Sequence, residues 1–253
     1  MNGKGKVWFV GAGPGDPELI TLKGEELLNH AQVVIYAGSL VNKELLDYCP
    51  EECEIYDSSK MTLNEIIEIM EKSVNEGKNV IRLHTGDPSL YGAIFEQIRE
   101  LDKRNINYEV VPGVSSAFAA AASLCKEFTV PGVSQTVIFT RFSGRTKVPE
   151  KESLAELAKH RASMVIFLSV AYIEDVVNAL LQGYDNDTPV AVIYRVSWKD
   201  EKIVRGTLES IADKVKKEGI KKTALILIGD FLEPKKFQYS KLYSEDFNHE
   251  FRE

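Results

Sequence analysis

Apolar and polar positions alternate along the chain with two different periods, and this alternation predicts an α/β fold. Short apolar runs such as Val7–Val10 and Val80–Leu83 are typical of buried strands. Longer segments with apolar residues three and four apart predict helices, most clearly Met61–Asn75, where Thr62 and Glu65 have the spacing of a capping box. Strands that alternate with helices favour a parallel sheet with right-handed crossovers.

The same alternation of apolar and polar positions predicts the remaining elements of a first lobe. Strands and helices then alternate again in a second lobe. In the first lobe we expect two further helices and two further strands: Glu18–His30 and Leu90–Arg104, and Gln32–Tyr36 and Tyr108–Val111. After the small-residue helix Ala117–Ser123, strands alternate with helices again. These elements are strand Thr136–Thr140, helix Lys151–His160, strand Met164–Leu168, helix Ile173–Leu181, strands Pro189–Tyr194 and Lys202–Gly206, helix Thr207–Glu218 and strand Ala224–Ile228.

The domain organisation follows from these elements. The connection Val196–Glu201 is short enough for a hairpin, so the second sheet should be mixed, and Trp198 should lie in an exposed turn available to a second copy of the chain. We therefore predict an N-terminal α/β lobe with a parallel sheet over residues 1–114. A C-terminal lobe with a mixed sheet follows over 115–232, and then a tail over 233–253.

A glycine loop follows the first strand and resembles a dinucleotide-binding loop without meeting its requirements. Gly11 and Gly13 fit the G-x-G-x-x-G pattern, but Asp16 stands at the third glycine position. Pro14 removes a backbone N–H from the cradle that a pyrophosphate would need. The loop is therefore suited to close backbone approach to a ligand other than a phosphate.

Two more loops of this kind follow later strands. His84 and Thr85–Pro88 come after the predicted strand Val80–Leu83, and Pro112–Ser116 comes after the predicted strand Tyr108–Val111. Because the carboxyl ends of parallel strands meet at one edge of a sheet, the three loops predict a single ligand site. Asp87 fits either a helix cap or an acceptor for a ligand hydroxyl, and His84 either a structural side chain or a base.

Composition excludes several classes of function. A net charge of -7 over 253 residues argues against a nucleic-acid partner. No apolar run reaches the roughly 20 residues of a membrane helix and no signal-peptide pattern is present, so we expect a cytoplasmic protein without a membrane partner. The three cysteines, Cys49, Cys53 and Cys125, suit neither a disulfide framework nor a metal site.

Four motifs together resemble the tetrapyrrole methylases, which are S-adenosylmethionine-dependent enzymes of uroporphyrinogen and corrin synthesis. They are GAGPGDPELITLKG (Gly11–Gly24), TGDPSLYG (Thr85–Gly92), VPGVSSAFAAAA (Val111–Ala122) and TALILIG (Thr223–Gly229). Further segments resemble the branch that methylates carbon 11 of precorrin-4 or its cobalt complex, among them YAGSLV (Tyr36–Val41) and QTVIFTRFSGRTKVPE (Gln135–Glu150). The resemblance implies two α/β lobes, S-adenosyl-L-methionine in the cleft between them, a tetrapyrrole substrate and a homodimer.

The resemblance also implies particular cofactor contacts. The positions that match the family's cofactor-binding residues are Pro14, Thr85, Gly86, Asp87, Leu90 (one turn into a helix), Ser115, Ser116, Leu168, Tyr194, Arg195, Thr223 and Ala224. Uroporphyrinogen methylases carry a proton-accepting Asp after the second strand, where this chain has Ala37, so no catalytic base is assigned. Because a corrin precursor carries many carboxylates, Arg141 and Arg145 are the candidate substrate-binding residues.

Three alternative functions remain at this point. A sister methyltransferase could act on uroporphyrinogen or at another corrin ring position. An NAD-type oxidoreductase could use the Gly11–Asp16 loop, although Pro14 and Asp16 argue against it. A third alternative is a binding module that retains the site without turnover. The sequence does not distinguish a cobalt-containing substrate from a cobalt-free one.

Overall fold

The computed structural model describes residues 5–240, and the chain divides into two compact units. The first unit comprises the residues up to Ala119 together with Val196–Asp200, and the second comprises Ala120–Arg195 and the residues from Glu201 onward. Of the predicted tail over 233–253, residues 241–253 lie outside the described range.

The first unit is built on a five-stranded sheet that is parallel throughout, as predicted, with strand order β3-β2-β4-β1-β5. Its strands are β1 (Val7–Gly11), β2 (Val33–Tyr36), β3 (Glu54–Asp57), β4 (Val80–His84) and β5 (Tyr108–Val111). Its helices are α1 (Leu22–Asn29), α2 (Leu63–Asn75) and α3 (Ile94–Lys103), and α4 (Ser116–Leu124) leads the chain onward.

Helix α2 shows how the pattern produces the packing. Thr62 caps the helix, and its backbone N–H donates to Glu65 Oε2 at 2.7 Å, so the predicted capping box is confirmed. The apolar positions three and four apart, including Ile67 and Met70, are buried in a core with Phe9. This packing covers one face of the sheet.

The second unit contains a mixed five-stranded sheet, also as predicted, with strand order β6-β7-β10-β8-β9. Its strands are β6 (Val137–Arg141), β7 (Ser163–Phe167), β8 (Pro189–Tyr194), β9 (Lys202–Thr207) and β10 (Ala224–Ile228). Its helices are α5 (Leu154–Ala158), α6 (Ile173–Leu180) and α7 (Leu208–Lys217). Only β6 and β7 pair in parallel, because β8 and β9 form a hairpin and β10 inserts antiparallel between β7 and β8.

Some element boundaries differ from the predictions. The helix expected over Glu18–His30 is a 3₁₀ turn followed by α1, because Thr21 Oγ1 accepts the Gly24 N–H at 3.1 Å and starts a new helix. The helix expected over Lys151–His160 is likewise a short 3₁₀ turn before α5. Strand β3 was not predicted: it is an edge strand with three of its residues exposed, so it lacks a buried apolar run.

Neither a membrane-spanning helix nor a cluster of metal-binding side chains occurs among the described residues. Within residues 5–240, no helix has both the length and the apolar character to cross a bilayer. The same part of the chain holds no group of three or more His, Cys, Asp or Glu side chains arranged to bind a metal ion.

Candidate functional site

The loops that follow β1 and β4 are joined by backbone hydrogen bonds. The Ala12 N–H donates to the carbonyl oxygen of His84 at 2.7 Å. Gly13 and Gly86 then exchange two bonds, of 3.3 Å from Gly13 N–H and 2.8 Å from Gly86 N–H. The two loops therefore extend the pairing of the sheet beyond its strands and hold each other in place.

The loop that follows β5 lies against the other two at a distance only glycine permits. A Cβ atom on Gly113 would lie 2.2 Å from the carbonyl oxygen of Gly86 and 2.7 Å from Gly11 Cα. A Cβ on Gly11 would lie 2.5 Å from Gly113 Cα. The structure thus brings together the three loops that the sequence predicts at one edge of the sheet.

Asp87 links the second and third loops. Its Oδ2 accepts the Gly113 N–H at 2.9 Å, and its Oδ1 accepts the Ser89 N–H at 2.8 Å and the Ser89 hydroxyl. Partial burial favours a higher pKa for the Asp87 carboxyl, but the hydrogen bonds from Ser89 and Gly113 outweigh it and lower that pKa. The side chain is therefore an oriented carboxylate that holds the edge of the sheet together.

The segment after Asp87 is a turn rather than the start of a helix, which corrects the prediction for Leu90. The Leu90 N–H donates to the Asp87 carbonyl oxygen at 3.3 Å, and α3 begins only at Ile94. Tyr91 and Ala93 have positive φ angles of 57° and 50°, which interrupt a right-handed helix. Leu90 consequently lies in the loop itself, and Asp87 does not cap α3.

Two polar side chains at the end of β4 have buried atoms without a hydrogen-bond partner among the described residues. They are Thr85 Oγ1 and His84 Nε2. Buried polar atoms are satisfied in most structures, so the unpaired Thr85 hydroxyl marks this edge as a candidate ligand site. Thr85 is one of the residues that the family resemblance predicts to contact the cofactor.

His84 is neutral in the folded protein. It is 3% exposed, and burial, together with the nearby Arg82 guanidinium, lowers its pKa to about 3. Arg82 is itself buried, and its guanidinium donates to Gln97 Oε1 and the Ile35 carbonyl oxygen, each at 3.1 Å. A histidine with so low a pKa is a poor base at neutral pH, which favours the structural interpretation.

Ser115 and Ser116 lie where β5 leads into α4. Ser115 Oγ accepts the Ala117 N–H at 3.3 Å, so this side chain satisfies a donor at the helix start. The Cα of Ser115 and the N of Ser116 are 3.7 and 3.8 Å from the position of a Cβ on Gly86. Both serines therefore border the same loop as Thr85.

The first glycine loop uses its backbone donors inside the protein. Besides the bonds of Ala12 and Gly13, the Asp16 N–H donates to Ser197 Oγ at 3.0 Å. These N–H groups cannot converge on a pyrophosphate, and this argues against the NAD-type alternative.

Two carbonyl groups of this loop accept hydrogen bonds from side chains that the sequence did not predict there. Trp198 Nε1 donates to the Pro14 carbonyl oxygen at 3.1 Å, and Asn42 Nδ2 donates to that of Gly15 at 2.8 Å. Trp198 is partly buried, which corrects its predicted place in an exposed turn. No local signal could have revealed these contacts, because Trp198 lies 184 residues from Pro14 along the chain.

In the second unit, the remaining predicted cofactor contacts lie at one edge of the mixed sheet. Tyr194 pairs with Ala224, and Leu168, Arg195 and Thr223 directly flank the strands there. Those three residues have positive φ angles of 56°, 47° and 55°, although none is glycine. Leu168 is also 69% exposed. Such backbone strain is concentrated at functional sites, so it marks this edge as a candidate ligand-contacting region.

The two candidate substrate-binding arginines lie at the same edge of that sheet and differ in their surroundings. Arg141 is the last residue of β6, and Arg145 lies in the loop that follows it. The Arg141 guanidinium donates to carbonyl oxygens of its own loop, at 2.9 Å to Thr146 and 3.0 Å to Lys147. Arg145 is exposed and lies in the same loop, between Arg141 and Thr146. Arg141 therefore shapes the loop that presents Arg145.

Three loops at the carboxyl edge of a parallel sheet, with glycines in backbone contact and an unsatisfied hydroxyl, define an α/β protein that binds a small ligand without a phosphate cradle. The model of the family described as Tetrapyrrole (Corrin/Porphyrin) Methylases matches residues 6–212. The chain belongs to this family.

Three proteins that are similar to this chain have names that state their activity. The cobalt-precorrin-4 C(11)-methyltransferase of Methanocaldococcus jannaschii is 62% identical over 253 residues, covering 100% of this chain and 98% of the relative. A solved cobalt precorrin-4 methyltransferase has a TM-score of 0.89 at 46% identity, covering 90% of this chain and 96% of the other. The Thermus thermophilus uroporphyrin-III C-methyltransferase, solved with S-adenosylhomocysteine, has a TM-score of 0.77 at 30% identity, with coverage of 90% and 99%.

Proposed function

We propose that this protein is an S-adenosylmethionine-dependent methyltransferase of corrin ring synthesis, which methylates carbon 11 of precorrin-4 or cobalt-precorrin-4. The observation that carries the proposal is the edge formed by the loops after β1, β4 and β5, with the free Thr85 hydroxyl, in a chain 62% identical to a named cobalt-precorrin-4 C(11)-methyltransferase. Ala37, in place of the acid of the uroporphyrinogen methylases, supports the corrin branch.

The chemistry of the edge fits this cofactor. S-adenosylmethionine carries ribose hydroxyls, an amino group and a sulfonium, but no phosphate. A loop whose N–H groups are already bonded to Gly86, His84 and Ser197 suits such a ligand. Thr85 and the oriented Asp87 carboxylate supply polar contacts, while Pro14 supplies an apolar surface.

The protein's task in the reaction is mainly orientation. S-adenosylmethionine supplies an electrophilic methyl group attached to a good leaving group. The chain must therefore hold the cofactor and the acceptor carbon in line and exclude water. Asp87 serves this task because Gly113 and Ser89 fix its carboxylate in advance, and this reduces the ordering cost of binding.

Substrate recognition is assigned to the loop after β6. We propose that Arg145 pairs with a carboxylate of the macrocycle, because it is exposed and held by a loop that Arg141 braces. Leu168, Tyr194, Arg195, Thr223 and Ala224 are further proposed cofactor contacts, supported by the backbone strain at three of them.

The decisive experiment offers the purified protein precorrin-4, cobalt-precorrin-4 and uroporphyrinogen III with ¹³C-methyl-labelled S-adenosylmethionine. Carbon NMR of the product should show the new methyl at carbon 11 of one of the first two substrates. Preferred methylation of uroporphyrinogen III would overturn the branch assignment. Calorimetry should show binding of S-adenosylhomocysteine and none of NADH, and the reverse result would support the oxidoreductase alternative.

A homodimer and a cytoplasmic location remain predictions of the resemblance. If the protein is a homodimer, light scattering on the purified protein should give twice the mass of the chain. The net charge of -7 supports the absence of a nucleic-acid partner, and a filter-binding assay with DNA and RNA checks it.

A further inference from the structure

The segment Val196–Asp200 belongs to the first unit although the chain reaches it between β8 and β9. It contacts the glycine loop after β1 through two hydrogen bonds of opposite direction. Trp198 Nε1 donates to the Pro14 carbonyl oxygen at 3.1 Å, and Ser197 Oγ accepts the Asp16 N–H at 3.0 Å. The pair thus binds the loop on both sides of Gly15.

The indole ring of Trp198 also lies directly on Gly15. A Cβ on Gly15 would be 2.1 Å from both Cδ1 and Nε1 of the indole. Gly15 has a φ of 158°, and no larger residue could be placed there without displacing the ring. The aromatic face therefore sets the position of the loop's backbone, in addition to the two hydrogen bonds.

Other contacts hold the segment against the same region. Lys199 Nζ is 2.7 Å from Glu44 Oε1, and Asn42 donates to the Gly15 carbonyl oxygen at 2.8 Å. Asn42 Oδ1 in turn accepts the Glu44 N–H at 3.1 Å. Ser197 has a positive φ of 65°, so the segment maintains these contacts against a local conformational cost.

We propose that Trp198 and Ser197 are positioning residues for the cofactor. They hold the Gly13–Asp16 loop in the conformation in which Pro14 meets the ligand, and so they set cofactor affinity. The inference rests on the proposed function, because it concerns the site of the same cofactor. Neither residue is a predicted ligand contact.

Trp198→Phe tests the role of the indole N–H, because it keeps an aromatic face on Gly15 and removes the donor to Pro14. Ser197→Ala removes the acceptor for Asp16. Each variant should raise the Kd for S-adenosylhomocysteine about three- to tenfold, the effect of one lost hydrogen bond. The KM for S-adenosylmethionine should rise by a similar factor while kcat stays within about twofold, a split that general destabilisation does not produce.

Trp8→Phe is the matched control. The chain has two tryptophans, and Trp8 lies on β1, the strand that leads into the same loop. Its indole nitrogen is buried without a partner in the described residues, so removing it should leave the Kd unchanged. The control variant also leaves Trp198 as the sole tryptophan, and its emission, excited selectively over that of the tyrosines, should change on addition of S-adenosylhomocysteine.

The outcomes separate this inference from the proposed function. If the wild type binds S-adenosylhomocysteine and both Trp198→Phe and Ser197→Ala bind it equally well, the positioning role is wrong and the function stands. An equal loss of affinity in Trp8→Phe also overturns the positioning role of Trp198, since removal of either indole would then weaken S-adenosylhomocysteine binding. If the wild type fails to bind, the proposed function fails and this inference with it.

Discussion

Acidification should destabilise the first unit through His84. This histidine is buried beside the Arg82 guanidinium at the end of β4, and burial is the larger cause of its low pKa. An unfolded chain exposes the ring to water, where it binds a proton readily. Lowering the pH therefore favours the unfolded state as long as only that state takes up the proton.

The size of the effect follows from the two pKa values. The ordinary pKa of histidine is about 6.5, and that of His84 in the folded protein is about 3. Because the folded pKa is depressed, the stabilising contribution is complete above pH 6.5 and is lost as the pH falls toward 3. Each pH unit well inside this window costs about 1.4 kcal/mol, so His84 alone lowers the free energy of unfolding by about 2 kcal/mol between pH 7.5 and 5.

The assay compares urea unfolding of the wild type and His84→Leu at pH 7.5 and 5. Leucine fills a similar volume. Because His84 Nε2 has no hydrogen-bond partner among the described residues, the substitution breaks no hydrogen bond at that atom. The variant should lose about 2 kcal/mol less stability on acidification than the wild type. The exposed His160, changed to Gln, is the control and should retain the wild-type loss. An acid loss in His84→Leu equal to that of the wild type would refute a neutral buried His84.

Four further variants test the candidate site. Gly113→Ala should destabilise the protein by about 1–3 kcal/mol, because its Cβ would meet the Gly86 carbonyl oxygen at 2.2 Å; an unchanged melting temperature would contradict this packing. Asp87→Ala should weaken S-adenosylhomocysteine binding by about 1–3 kcal/mol in calorimetry, and a loss of thermal stability alone would limit Asp87 to joining the loops. Arg145→Lys should raise the KM for the macrocycle and leave cofactor affinity unchanged, because lysine lacks the two-point contact. Arg141→Lys should also loosen the loop, which limited proteolysis detects, and an unchanged KM in both arginine variants would place the carboxylate contact elsewhere.

Much of the architecture could be predicted from local sequence signals. The capping box at Thr62, the alternation of elements and the hairpin of β8 and β9 each depend on residues close together in the chain. The parallel first sheet and the mixed second sheet follow from the order of these elements. Strand β3 escaped prediction because an exposed edge strand has no buried face to produce an apolar run.

For the site, the sequence by itself determined which loops meet, because glycines at the ends of parallel strands can only be brought to one edge of the sheet. It also determined the family, through motifs that lie in order along the chain. Only the tertiary structure decided what those loops do with their polar groups. Asp87 binds Gly113, Leu90 lies in a turn, and Trp198 binds Pro14. The physical reason is that a hydrogen bond depends on distance in space, and residues 184 positions apart carry no local signal that they will meet.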